Sequence, residues 1–312
     1  MVCAQAIASG ATEASMLDTV IDQRRKDLGG FEVGRVLPHA QRRMVGPFIF
    51  FDHMGPVELP RDIPRTVDVR PHPHIGLSTI TYLFEGEIMH RDSLGTEQAI
   101  RPGEVNWMIA GRGITHSERF EKARAEGGCV HGIQAWVALP IEKEEIAPSF
   151  VHHGQADLPV IGAAGVVIRV IAGEAFGGRA RVTTHSPMFY AHIEIAQEQT
   201  IELPGGFSER AIYIVNGNVE ADGRAFSRGQ LLVFGHGDAA TPKVAAGTTL
   251  LALGGEPVGP RFIEWNFVAS SPKRIEQAKA DWRAGRFKLP DSDNREFIPL
   301  PPESTSGAKP MS

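Results

Sequence analysis

Apolar residues along this chain recur in short, partly alternating runs cut by glycine and proline, a pattern that predicts strands rather than helices. The runs LSTITYLF (77–84), VHGIQAWVAL (130–139), VVIRVIAG (166–173), MFYAHIEI (188–195) and AIYIVNG (211–217) are rich in β-branched and aromatic residues. Each is bounded by turn residues, as expected for many short strands forming sandwiches or barrels. One segment breaks the pattern. SPKRIEQAKADWRAGRF (271–287) opens with Ser-Pro, and its Ile275, Ala278 and Trp282 recur at helical spacing. Beyond Lys288 the chain is rich in Pro, Ser, Asp and Asn, and an extended or disordered tail is expected over 291–312.

The strand pattern repeats. Tyr82-Leu-Phe-Glu-Gly86 reads like Tyr213-Ile-Val-Asn-Gly217, and Arg101-Pro-Gly103 with its following apolar strand reads like Arg228-Gly229 with Leu231-Leu-Val-Phe234. All β-hairpins share glycine turns, but the order strand, glycine turn, strand, glycine, strand is common to both copies and favours duplication of one β-barrel unit. The expected units are 22–145 and 160–290, with a linker near 140–165. A length of 312 residues suits two domains.

Composition narrows the function. With 42% hydrophobic and 22% charged residues and a formal net charge of -5, the chain has the make-up of a globular protein with a core. It lacks the basic stripe of a phosphate-binding surface, so nucleic acid is not an expected direct partner. No apolar run is long enough for a membrane helix, and the first residues have no secretory pattern. Cys3 and Cys129 are far apart and in no CxxC arrangement. A cytoplasmic setting is expected.

Four of the twelve histidines lie between residues 72 and 116. In a strand, i and i+2 point to one face, so His72-Pro73-His74 presents two imidazoles together. His116-Ser117-Glu118 adds a third imidazole and a carboxylate from a second strand. A lone HxH is common by chance; two such dyads separated by a hairpin predict one mononuclear site made by His72, His74, His116 and Glu118. Carried across the repeat, the four positions fall on Leu203, Gly205, Pro242 and Val244, so the second unit is expected to be metal-free. Three imidazoles and one carboxylate, without thiolate, suit a divalent ion such as iron, with manganese, nickel, copper or zinc as alternatives. Gln134, His53 and Met108 are weaker candidates for the surrounding pocket. Trp107 and Met108 fit wall packing better than substrate contact. His90, His131, His152 and His153 read as surface or loop residues.

The stretches GPFIFFDHMGP (46–56), RPHPHIGLSTITYLFEGEIMHRDSLG (70–95), PGEVNWMIAGRGITHSE (102–118) and HGIQAWVALP (131–140) resemble the pirin family of the cupin superfamily. The resemblance runs from about residue 30 to 290, and the HPH and HSE dyads are its most specific parts. It implies an all-β bicupin, two antiparallel cupin barrels with a C-terminal helix. It also implies a single iron in the N-terminal cupin and none in the C-terminal one. The general cupin motif carries a glutamate shortly after HxH where this chain has Ser78 and Thr79, which leaves Glu118 as the carboxylate. The activity implied is that of quercetin 2,3-dioxygenase, with a flavonol and dioxygen as substrates; for such a reaction a carboxylate is available as a base, so Glu118 is expected as ligand and proton acceptor. The alternative implied is a metal- or redox-sensing regulator that binds a protein partner without turnover.

Overall fold

The strand Leu77–Glu85 buries both of its faces, so the sheet that holds it must be covered on two sides. The computed structural model, which describes residues 15–28, 30–236, 239–302 and 310–311, shows how. In the first half, seven strands run in the order Ser149–His153, Val105–Ile109, Leu77–Glu85, Gly128–Ala138, Phe48–Leu59, Glu32–Leu37 and Arg24–Asp27. Facing them is a smaller sheet in the order Val69–His74, Ile114–Arg119, Ile88–Asp92, Glu97–Ile100.

The second half uses the same order strand for strand. Its large sheet runs Leu17–Asp22, Gln230–Phe234, Glu209–Asn216, Thr248–Gly255, Met188–Ile195, Val166–Ala175 and Val160–Ala163, with Gly178–Arg179 added off Val166–Ala175. Its small sheet runs Gln199–Thr200, Lys243–Val244, Asn218–Ala221, Arg224–Ser227. The fold is thus all-β with two cupin-type units. Each unit is a pair of facing antiparallel sheets rather than a closed barrel.

The two large sheets pack back to back. Ile80, Tyr82, Trp107, Ile133 and Ala135 from one side and Tyr190, Ala211, Tyr213, Leu231 and Leu251 from the other belong to one buried cluster. Alternate residues of the same strands face inward. In the second half that interior is closed by Ile193, Ile212, Ile214, Leu203, Leu232 and Val244. In the first half it is split into two apolar clusters, one around Phe31, Leu83 and Phe120 and one around Phe50, Leu77 and Trp136. The small sheet's histidines are buried as well.

Both ends of the chain cross between halves. Leu17–Asp22 pairs with Gln230–Phe234 in the second half's sheet. In the other direction, Phe267–Ala269 and the helix Pro272–Arg283 return to the first half, where Phe267 bridges to Ile75. Ser271 precedes the helix, Pro272 opens it, and Ile275, Ala278 and Trp282 form its buried face. The described part of the tail is extended and docked rather than disordered: Asp293 pairs with Arg119, and the Ile298 N–H donates to the Pro71 carbonyl at 2.8 Å. The remainder of the tail, 303–309 and 312, lies outside the described residues.

Candidate metal centre

The strands Val69–His74 and Ile114–Arg119 are neighbours, with His72 directly opposite His116. Pro71 and Pro73 lack an N–H and limit ladder bonding, and the pairing shifts between His116 and Glu118, where Glu118 aligns with Val69. His72 and His74 share a face as i and i+2. The result is a cluster in which one ring nitrogen from each of His72, His74 and His116 lies within 4.8 Å of the others. All three side chains are buried.

Hydrogen bonds set how each ring can bind. The Nδ1–H groups of His72 and His74 donate to the carbonyls of Arg70 (2.9 Å) and Asn266 (3.0 Å). Each Nε2 therefore keeps a free lone pair. The Nε2 of His116 is buried with no hydrogen-bond partner. Its Nδ1 lies 3.4 Å from His90 Nδ1, and His90 Nε2 lies 3.0 Å from Asp92 Oδ2. The Asp92 carboxylate accepts a hydrogen bond from His90 Nε2–H, which leaves His90 Nδ1 as the acceptor for His116 Nδ1–H. Asp92 is fully buried and also accepts the backbone N–H groups of Leu94 and Thr96. Burial holds His72 down at about 4 and pushes His74 and His116 well below the usual histidine range. Three neutral imidazoles with Nε2 lone pairs gathered at one point are a donor set that fits a divalent ion.

Glu118 lines the same cavity but is not one of the three tightly gathered donors. Its Oε1 lies 3.4 Å from Thr81 Oγ1, a long contact beside the shorter one that Thr81 Oγ1 makes to Gln134 Oε1 at 2.8 Å. Burial raises the Glu118 carboxyl to about 7, and the Thr81 contact offsets this only partly. The cavity holds about 690 Å³, within the ~300–1,000 Å³ range of small-molecule sites. One wall is the stacked pair Phe50 and Trp136, with ring centroids 4.0 Å apart. Arg35 lies over Phe50 and is held by two 2.7 Å hydrogen bonds to Asp52. Trp265, Asn266 and Ile298, all from the C-terminal segment, close another side.

Several expectations change. Gln134 does line the cavity. Met108 is buried in the apolar cluster around Trp136, a packing residue as its strand position allows. His53 sits at the seam between halves, bonded to Tyr213 Oη (2.8 Å) and His131 Nε2 (2.7 Å); it is a strand residue facing away from the cavity. His90 is buried rather than exposed, because the pairing of Ile88–Asp92 with Ile114–Arg119 carries it behind His116. Asn266 had no sequence signal at all, since its backbone carbonyl does the work.

The family model for Pirin matches residues 30–137, and that for the Pirin C-terminal cupin domain matches 190–288. A pirin-like protein of Caulobacter vibrioides is 61% identical over 92% of this chain and 100% of its own length. A Pseudomonas aeruginosa protein provisionally named quercetin 2,3-dioxygenase PA1205 is 38% identical over 88% of this chain and 86% of its own. The crystal structure of a quercetin 2,3-dioxygenase from Acinetobacter baumannii superposes with a TM-score of 0.85 at 32% identity, covering 92% of this chain and 96% of that one.

Proposed function

The chain belongs to the pirin family, and from that premise we propose that it is a metal-dependent dioxygenase that opens the ring of a flavonol-like substrate. The observation that carries the reading is the cluster of three buried, neutral imidazoles beside Glu118 in a cavity with an aromatic wall. His72, His74 and His116 would hold one divalent ion, iron, with Glu118 as the fourth ligand. Bound there, the ion supplies Lewis acidity and a template for the substrate.

The chain's own groups divide the remaining work. Glu118, on the cavity lining beside the three imidazoles, would take the substrate's hydroxyl proton onto a carboxylate oxygen. Thr81 Oγ1 makes its shorter contact to Gln134 Oε1 and only a long one to the Glu118 carboxylate. The Phe50 and Trp136 side chains give the cavity an apolar aromatic wall for a substrate ring to pack against. Trp265 and Asn266 line the far side of the cavity.

The test is elemental analysis of protein purified without chelator, paired with dioxygen uptake on quercetin. About one iron per chain and uptake that disappears in His72→Ala/His116→Ala are the expected results. Metal without uptake would retire the dioxygenase reading in favour of a binding role for the site. Near wild-type turnover by metal-loaded Glu118→Gln would remove Glu118 as the proton acceptor.

A further inference from the structure

A second cavity of about 520 Å³ lies at the seam between the two halves, on the opposite face of the strand that carries Thr81 to the metal cavity. Tyr82, Phe84 and His131 from the first half and Arg169, His192 and Arg228 from the second line it. His192 is 5% exposed. Its Nδ1 accepts the Tyr82 hydroxyl at 2.9 Å and lies 3.5 Å from Arg169 Nη1, so the ring proton sits on Nε2. That Nε2–H is buried and has no acceptor; neither has the buried Nε–H of Arg169.

Two donors without acceptors on adjacent side chains are costly unless something accepts from them. The charges point the same way. A guanidinium stays protonated throughout the accessible pH range. Arg169 and Arg228 both face the cavity, and neither forms an ion pair among the described residues; Arg228 donates to the Gly55 carbonyl at 3.0 Å. Glu194, on the lining, is the opposing charge. Two guanidiniums against one carboxylate leave a single positive charge, which matches a monoanion better than a dianion such as phosphate. The Phe84 ring, 4.8 Å from His131 and 5.1 Å from His192, adds a flat apolar surface beside these donors.

We propose that this inter-half cavity is a binding site for a small aromatic monocarboxylate, its carboxylate on Arg169, Arg228 and His192 and its ring against Phe84. Planar carboxylates suit the two-pronged guanidinium geometry. The cavity is separate from the metal centre and needs no metal.

Titration calorimetry of the full chain with benzoate, and with neutral benzamide of the same shape, tests this. Benzoate should bind and benzamide should not. Arg169→Gln and, separately, the exposed Arg228→Gln should each weaken benzoate by at least about tenfold, the usual effect of losing a charged hydrogen bond. His72→Ala/His116→Ala should bind benzoate as the wild type does. The far-ultraviolet circular dichroism of each variant shows whether it is folded, and Arg228→Gln decides the matter if Arg169→Gln is not. The proposal is overturned if benzoate fails to bind at millimolar concentration, or if benzamide or inorganic phosphate binds as well as benzoate. Retained affinity in folded arginine variants, or loss of binding in the histidine variant, would overturn it equally.

Discussion

Between its strands Val69–His74 and Ile114–Arg119 the first half sets His72 opposite His116. At the equivalent place the second half sets Ile201 against Pro242 and Leu203 against Ala240. The flanking strands have the same order in both halves, so the backbone plan does not decide which one can hold an ion. Side chains do. Ile201, Leu203, Ala240 and Val244 close the second interior with apolar contact alone, which asks nothing of the surrounding backbone. Three buried imidazoles need a named acceptor for each N–H, and the first half finds them at Arg70, Asn266 and His90. A polar interior is therefore tied to more of the chain than an apolar one.

The contrast can be broken outright at the histidines. His72→Ala/His116→Ala should reduce metal content from about one ion per chain to background, read by elemental analysis, while the fold survives by circular dichroism. Leu203→Ala should do the reverse. With 2% of Leu203 exposed, the cavity left behind should cost about 2–5 kcal/mol in denaturant unfolding, with metal content unchanged. Loss of metal from folded Leu203→Ala would show that the halves are not divided in this way.

The seam sharpens the comparison through pH. Burial holds both His53 and His192 at about 3, with His131 and Arg228 adding to the first and Arg169 to the second. Unfolding returns them to about 6.5. The unfolded chain thus binds more protons between these values. Stability from these two residues is complete above about pH 6.5 and is lost as pH falls toward 3. Unfolding free energies from denaturant titrations should decline by amounts on the order of a few kcal/mol from pH 7 to 4, and His192→Gln should flatten the decline. The smallest effect is expected behind His116. Asp92→Asn should weaken metal binding about 10–100-fold by releasing the His90 proton order, with little change in the fold. Unchanged affinity would reduce His90 and Asp92 to packing.

Much of this was legible in the chain. The strands around 77–84, 130–139, 166–173, 188–195 and 211–217 and the helix at 271–287 follow from local periodicity, and the structure places them at Leu77–Glu85, Gly128–Ala138, Val166–Ala175, Met188–Ile195, Glu209–Asn216 and Pro272–Arg283. The i, i+2 spacing of His72 and His74 is likewise local, which is why the cluster could be drawn before any fold was known. Register was not legible. Simple offsets set Leu203 against Pro242, whereas the structure pairs residues two positions away, because the second half reduces these strands to two residues each, Gln199–Thr200 and Lys243–Val244. The burial of His90 is hidden from the sequence for the same reason. Its role depends on which residue of a neighbouring strand it meets. The short helix Glu121–Glu126 carries too little periodicity to be seen.

The carbonyl that orients His74 comes from Asn266, 192 residues later in the chain. During synthesis, the first unit can be fully made while this acceptor has not yet been translated. Two of the three imidazoles then have their proton order set by earlier chain, and the third waits for the segment around residue 266 to fold back. The donor set is thus completed only after residue 266 has been made and folded back. A nascent chain stopped before residue 266 would carry every histidine of the cluster and still lack a properly oriented one.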